Sequence, residues 1–333
     1  MKRRLALGLL GSALLSGPAG LSFAQGSGPA VVIGKNNEWL FTPYEYATNA
    51  DAQDTEATIR LLTEASQRFQ KQGIALAIAL VPSKVRIHSD FLPADKPLDA
   101  YTRDKYDNAV KALRAGGVNV VDLNAAFLAS PHRSSDTPLY FRLDTHWSPS
   151  GAMLAAETIR AAIDANPALK AAWSATPPVK FAMTWSKQKS VTRARDLARL
   201  MAASGNSYPP EQMLTFRVTR EQESQAGLTG AGEAVGITAI GSSYTNKNTG
   251  YPDALRYALQ RELLDISLPT DQGPWAGMEA YLKDEAFKTR KPKLIIWEIP
   301  ERELRSPPNY KHRDSRYIMD NNEWLSRITA LLQ

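Results

Sequence analysis

Two short segments of this chain carry side chains able to do acyl chemistry together. Asp144-Thr145-His146-Trp147 puts a carboxylate two residues before an imidazole, and Gly241-Ser242-Ser243-Tyr244 puts hydroxyls at the end of an apolar run much later in the chain. A carboxylate that fixes one ring nitrogen of a histidine leaves the other free to take a serine proton. That arrangement activates a hydroxyl for attack on an ester. In a short non-helical segment, positions i and i+2 can point to the same side, so Asp144 can reach His146 locally. Asp-x-His also occurs in solvated loops and in metal sites. Two ligands with no third nearby in sequence do not predict a metal centre, and no cofactor is expected.

The remaining candidates are few. Of the four histidines, His312 lies between Lys311 and Arg313 and His132 sits in a proline-containing loop, so both read as solvent-facing. His88, with Asp90 two residues on, is a weaker competing pair. The chain has no cysteine, which excludes thiolate chemistry and disulfides. Gly241-Ser242 directly follows a strand-like run, and ligands of open α/β sheets bind beyond the carboxyl ends of strands. The same residues also build plain turns, and residue types alone leave Ser242 and Ser243 as equal candidates for the nucleophile.

The elements that must position these residues alternate along the chain. Ala30–Ile33 and Trp39–Phe41 flank a polar turn and predict a hairpin. Apolar residues at helical spacing predict helices over Thr55–Gln72, with Asp54 as N-cap, over Tyr101–Ala115, Thr192–Ala203 and Asp253–Leu264, and over a closing Asn321–Leu332. Ser148-Pro149 reads as an N-cap and first helical residue, with Met153, Ala156, Ile159 and Ile163 as the buried stripe, so the Asp-His pair sits at a helix entry. Short continuous apolar runs at Ile74–Pro82, Val118–Leu123, Val235–Ile240 and Lys293–Ile299 fit strands buried on both faces. Residues 166–234 are less regular and read as an insertion. Together these predict an α/β three-layer domain with a mostly parallel sheet, occupying residues 31–333.

Composition sets the location. Lys2, Arg3 and Arg4 precede an apolar stretch ending in Ser22-Phe23-Ala24, which predicts a signal peptide over residues 1–24 and then a linker over 25–30. No later apolar run reaches the about 18 residues that a membrane span needs. Export and the absence of cysteine point to the bacterial periplasm. Formal charge is +6, of which three units sit in the signal peptide, leaving +3. Nucleic acid is not an expected partner. With 43% hydrophobic and 22% charged residues the composition is ordinary for a globular protein.

Several motifs together resemble the alginate O-acetyltransferase family, whose members are SGNH-hydrolase-like periplasmic enzymes of exopolysaccharide acetylation, with relatives in acetylated-cellulose systems. The motifs are Trp39-Leu40-Phe41, Val81-Pro82-Ser83-Lys84, Asp144-Thr145-His146-Trp147, Asp196-Leu197-Ala198, Gly241-Ser242-Ser243-Tyr244 and Trp297-Glu298-Ile299-Pro300-Glu301-Arg302. The resemblance spans essentially the whole chain after the signal peptide. It implies an SGNH-hydrolase-like, flavodoxin-like fold with a circularly permuted motif order, the Asp-x-His block preceding the nucleophile block. Matched residue by residue, it puts the nucleophile at Ser243, with Ser242 in place of the family's usual threonine. His146 is then the general base and Asp144 its orienting carboxylate.

The implied chemistry is transfer of an acetyl group through a Ser243 ester to a hydroxyl of an exported polysaccharide. The Ser243 N–H is one expected oxyanion donor, and Tyr244, Asn246, Lys84, Arg302 and Trp147 are candidates for the rest of the oxyanion hole or for substrate binding. Lys84 and Arg302 fit strand-end salt bridges equally well. Trp39 and Trp297 read as core aromatics, whereas Tyr101, Tyr140, Tyr244 and Trp147 suit either packing or sugar contact. Alternatives are an acetylesterase with the same residues and a non-catalytic polysaccharide-binding subunit of the acetylation complex. The resemblance also implies a membrane-bound O-acyltransferase that delivers the acetyl donor, and other acetylation subunits. The low net charge tilts the expected acceptor from alginate slightly toward cellulose, a neutral polymer.

Overall fold

Five short strands line up as one parallel sheet in the computed structural model, which describes residues 31–202, 205–221, 236–268 and 272–333. The expected signal peptide and linker, and the Val235 start of one expected strand, lie outside those residues. The strands are β1 Ala75–Val81, β2 Asn119–Asp122, β3 Ile237–Gly241, β4 Leu264–Ser267 and β5 Leu294–Pro300. Their order across the sheet is β4-β3-β5-β1-β2, and every neighbouring pair is parallel. Counted from β3 instead of β1, that order becomes 2-1-3-4-5, the flavodoxin-like doubly wound order.

Period-2 alternation divides the strand residues between two cores. Leu76, Ile78, Leu80, Ile295, Trp297 and Ile299 face helices α1 Ala52–Lys71, α2 Ala100–Ala115, α5 Gly273–Lys283 and α6 Asn321–Leu332. Ala77, Ala79, Val81, Ala239, Leu294 and Ile296 face α3 Pro149–Ala165 and α4 Tyr251–Leu259. Helices cover both faces because the central strands are buried on both, and the expected three-layer α/β class is what forms.

Element boundaries differ from expectation at four places. The first helix begins at Ala52 with Asp51 as its N-cap residue, not Asp54. Its entry is set one turn earlier, where the Asp51 carboxylate accepts the Thr48 N–H at 2.8 Å. The helix expected over Asp253–Leu264 starts two residues earlier at Tyr251 and stops at Leu259, where Gln260 takes a left-handed conformation (φ 50°); Leu264 instead opens β4. The helix expected over Thr192–Ala203 starts only at Asp196 and is described to Ala202, Ala203 lying outside the described residues. Helix α5 was not anticipated, because Gly273-Pro274 at its start reads as a turn.

Smaller pieces frame the sheet. The expected hairpin forms between Val32–Ile33 and Leu40–Phe41. The 166–234 region carries helix Pro167–Ser174 and an antiparallel pair, Phe181–Trp185 with Phe216–Arg220. Helix α3 is capped by Ser148 as expected. Its first turn presses so closely on the preceding segment that a Cβ on Gly151 would lie 2.1 Å from the Leu139 carbonyl oxygen and 2.9 Å from Trp147 Cβ.

A glycine-to-alanine change inside a helix ordinarily gains up to about 1 kcal/mol. At Gly151 the clash with fixed backbone wins, so Gly151→Ala is expected to destabilise by roughly 2 kcal/mol, measured as the unfolding free energy in urea. An unchanged or increased stability would show that the contact yields.

Candidate active site

The reactive segments meet beyond the carboxyl ends of the central strands. β3 ends at Gly241 and the chain turns at once into a single 3-10 turn, Ser243–Thr245. Gly241 is required by close approach and not by a left-handed backbone: a Cβ there would lie 2.3 Å from Glu298 Oε2. The two serines after it have different partners. Ser242 donates its N–H and its hydroxyl to the Glu298 carboxylate, at 2.7 Å and 3.0 Å. Ser243 instead places its hydroxyl 2.8 Å from His146 Nε2.

The Asp144–Trp147 segment is held in shape before it reaches the helix. Tyr140 and Trp147 form an isolated antiparallel bridge, and the Ser148 N–H donates to the Leu139 carbonyl at 2.8 Å. Within the segment, Asp144 Oδ1 lies 2.6 Å from His146 Nδ1 and accepts the His146 N–H at 3.0 Å. Asp144 Oδ2 accepts the Asp196 N–H at 2.8 Å. Both carboxylate oxygens are therefore engaged.

Asp196 is the neighbour that residue spacing could not reveal, since it comes from the 166–234 region. Its carboxylate accepts the Thr145 N–H at 2.8 Å and the Thr145 hydroxyl at 2.5 Å, and it approaches His146 Nδ1 to 3.9 Å. It supplies the third acidic or imidazole group that was expected to be missing, and ligating atoms of Asp144, His146 and Asp196 lie within 4.8 Å of one another. Each of those side chains already has hydrogen-bond partners, and both ring nitrogens of His146 face one, Asp144 and Ser243. That donor set suits a proton relay more directly than cation coordination.

Electrostatics follow from the packing. Burial pushes Asp144 up, but the hydrogen bonds and charge of His146 and the Asp196 N–H outweigh it and bring Asp144 down to about 2. Burial pushes His146 down, and the Asp144 hydrogen bond and charge more than offset it, so the imidazole is held above its usual value. Asp196 is raised, by burial first and then by the Asp144 charge. Glu298 is buried enough to be raised to about 7 despite the three donors around it from Ser242 and Thr245. The imidazole itself keeps a 21% exposed side chain, so the hydroxyl row opens to solvent.

The other candidates divide by where their polar atoms go. Lys84 is 1% exposed, and its ammonium donates to the carbonyls of Leu40, Arg142 and Asp144 at 2.5, 2.9 and 3.0 Å. It braces the Asp144 backbone, and burial lowers it to about 8. Tyr244 is buried, with its hydroxyl donating to the Thr145 carbonyl at 2.5 Å and its ring 5.0 Å from the His146 ring. Trp147 is fully buried, edge-on to Tyr244 and tilted against Tyr251. Asn246 is exposed and its side chain accepts the Asn248 N–H at 2.9 Å. Arg302 lies over the Tyr244 ring at 5.5 Å.

Residues expected to be bystanders behave as such. His132 and His312 are exposed, and Trp39 and Trp297 are core. His88 and Asp90 do not pair. His88 is fully buried against Trp39 and lowered by burial, while Asp90 pairs with Arg133. Tyr140 is packed in the core and Tyr101 is half-buried with its hydroxyl 3.2 Å from Thr55 Oγ1.

A parallel five-stranded sheet layered by helices, with a serine, a histidine and an aspartate gathered beyond its carboxyl edge, defines an SGNH-hydrolase-like α/β protein. The chain belongs to the family described as SGNH hydrolase-like domain, acetyltransferase AlgX, whose model matches residues 31–301. It is 29% identical over 307 residues to the protein of Pseudomonas syringae pv. tomato named probable alginate O-acetylase AlgJ, covering 88% of this chain and 73% of the relative. The protein of the same name from Pseudomonas aeruginosa is 28% identical over 316 residues, covering 91% and 75%. The solved O-acetyltransferase domain of Pseudomonas putida AlgJ has the same fold, with a TM-score of 0.73 at 23% identity, covering 91% of this chain and 99% of that one.

The raised Glu298 has a consequence for stability. A carboxyl raised from its usual 4.5 to about 7 on folding contributes stability that is fully present below pH 4.5 and is lost as pH rises toward 7. Glu298→Gln is expected to remove up to roughly 3 kcal/mol of that fall between pH 5 and 7.5, read from urea unfolding at both pH values. An identical pH slope in wild type and variant would mean that Glu298 ionises as freely folded as unfolded.

Proposed function

We propose that the protein is a periplasmic polysaccharide O-acetyltransferase in which Ser243 is the nucleophile, His146 the general base and Asp144 the carboxylate that orients it. The observation that carries this reading is the continuous row from Asp144 Oδ1 through His146 to Ser243 Oγ, with links of 2.6 and 2.8 Å, in a chain of an acetyltransferase family.

Chemistry follows from that row. Ser243 Oγ attacks the carbonyl carbon of an acetyl ester while its proton passes to His146 Nε2, and the imidazolium formed is stabilised by Asp144. The tetrahedral intermediate collapses, the donor's alcohol leaves with the proton from His146, and the acetyl group remains on Ser243. A sugar hydroxyl then gives its proton to His146 and attacks the ester, and Ser243 recovers its proton as it leaves. Among the described residues the Ser243 N–H has no acceptor, which supports its part in holding the oxyanion.

The acceptor is read as alginate. Relatives that match over most of their length are named for alginate acetylation, and nothing in the comparisons supports the slight lean toward cellulose drawn from net charge. Periplasmic action fits the expected signal peptide, and among the described residues no helix is long and apolar enough to cross a membrane. The donor is taken to come from a membrane-bound O-acyltransferase acting with other acetylation subunits. Single domain organisation over residues 31–333 is part of the same reading, with the motif order permuted because the chain enters the sheet at β1 instead of β3.

Incubation with an activated acetyl ester and oligomannuronate is expected to give acetylated sugar by mass spectrometry, and an acetylated Ser243 peptide when sugar is omitted. Ser243→Ala is expected to lower transfer by about four to six orders of magnitude, and Asp144→Asn by about four. Acetylated sugar formed at wild-type rate by Ser243→Ala would defeat the mechanism. Acetate released with no acetylated sugar would make the protein an esterase.

A further inference from the structure

Arginines near the site nearly all spend their donors on the protein. Arg86 donates to Glu301 and to the carbonyls of Thr102 and Arg103, Arg305 donates to the Tyr46 carbonyl, and Arg313 to the Ser306 carbonyl. The buried Arg313 Nε is left without a partner, but Arg302 goes further. Its side chain is only 14% exposed, yet among the described residues no acceptor lies within hydrogen-bond distance of its guanidinium. The nearest carboxylate oxygens, those of Glu303 and Glu45, are 3.9 and 4.0 Å away. A guanidinium that gives up most of its hydration and gains no protein hydrogen bond leaves donors unsatisfied.

Its place makes that vacancy informative. Arg302 follows β5 at the carboxyl end of the strand next to β3, the strand that leads to Ser243. It lies over the ring of Tyr244, and the same ring packs against His146. Two of its acidic neighbours, Glu45 and Glu298, are raised by burial, and Glu298, raised to about 7, cancels its charge only in part near neutral pH. A planar, permanently charged fork with free donors matches a carboxylate at two points, whereas a neutral sugar hydroxyl uses one donor and no charge.

We propose that Arg302 is the subsite for a uronate carboxylate of the acceptor: the guanidinium takes the carboxylate in a two-point, charge-assisted pair and so brings a ring hydroxyl of the chain toward Ser243. This rests on the acetyltransferase reading for the role of the bound sugar, while binding itself can be measured without turnover. Specificity for a uronic acid polymer then resides in one placed cation and not in the overall charge of the protein.

The test is calorimetric titration of a mannuronate oligomer, and of the same oligomer with its carboxylates reduced to alcohols, into the Ser243→Ala protein with and without Arg302→Gln. Arg302→Gln is expected to weaken uronate binding about 10- to 100-fold and to leave affinity for the reduced oligomer within about twofold. Raising salt is expected to weaken uronate binding with Arg302 present and to do so much less without it. Equal uronate affinity with and without Arg302 overturns the proposal, as does no uronate binding by the parent protein. If Arg302→Gln fails to fold, Arg302→Lys replaces it: a drop of about tenfold supports the two-point pair, and an undiminished affinity overturns it. An additional kinetic arm separates the oxyanion alternative: a fall in kcat toward ester and water alike, with KM for uronate unchanged, places Arg302 at the oxyanion and overturns the subsite. Failure of the acetyltransferase reading would show separately, as no acetyl group on Ser243.

Discussion

The carboxylate of Asp144 is where three distant stretches of this chain are tied together. One oxygen accepts both the backbone N–H and the ring nitrogen of His146, the other accepts the N–H of Asp196, and its own carbonyl accepts the Lys84 ammonium. A buried charge is costly unless its hydrogen-bond capacity is filled, and here His146 and the Asp196 N–H fill it while Lys84 holds the backbone carbonyl of the same residue. The same contacts that make the charge tolerable also fix the imidazole. Orientation of His146 is therefore a by-product of satisfying Asp144, and the proposed relay inherits its geometry from that requirement.

A parallel sheet explains why such distant stretches can meet. In the order β4-β3-β5-β1-β2, the carboxyl ends of β3, β5 and β1 are adjacent, and each delivers one polar element: the Ser242-Ser243 turn, the Glu301–Arg305 turn and Lys84. The Asp144–Trp147 segment is added from the side by the entry to α3. Only the sheet's register is needed to bring these together, since Trp297 pairs with Ile78 on one side and with Ile240 on the other.

Much of this was legible in residue order, and the failures have physical causes. Continuous apolar runs located four of the five strands, because a strand buried on both faces has no polar positions. β4 was missed because its residues are only half-buried at the sheet edge, and Leu264 completes a helical spacing that Gln260 breaks. Asp144 and His146 stood out by local spacing, whereas Ser242 and Ser243 were separated only by the family resemblance and by their different partners, Glu298 and His146. Asp196 was quoted within a motif but given no part, since its contact with Thr145 crosses 51 residues and leaves no periodic trace. Glu298 did leave a signal: a lone carboxylate inside the apolar run Leu294–Pro300 has to be satisfied by something, and the Ser242 turn is that partner.

Lys84 and Arg302 show what residue type cannot decide. Both are cations just beyond strand ends, and both fit a salt bridge or a site equally well by sequence. Lys84 turned inward, and its three ammonium donors found three carbonyls, which a flexible point charge can satisfy from any direction. Arg302 carries five donors in one plane, and the acids beside it are too far to use them. Averaging such residues into a net charge erases the difference, which is why a mild basic excess said so little about the acceptor. A single guanidinium with unspent donors over the Tyr244 ring selects the ligand that would fit it more sharply than the sum of all surface charges does, because a rigid fork discriminates by geometry as well as by charge.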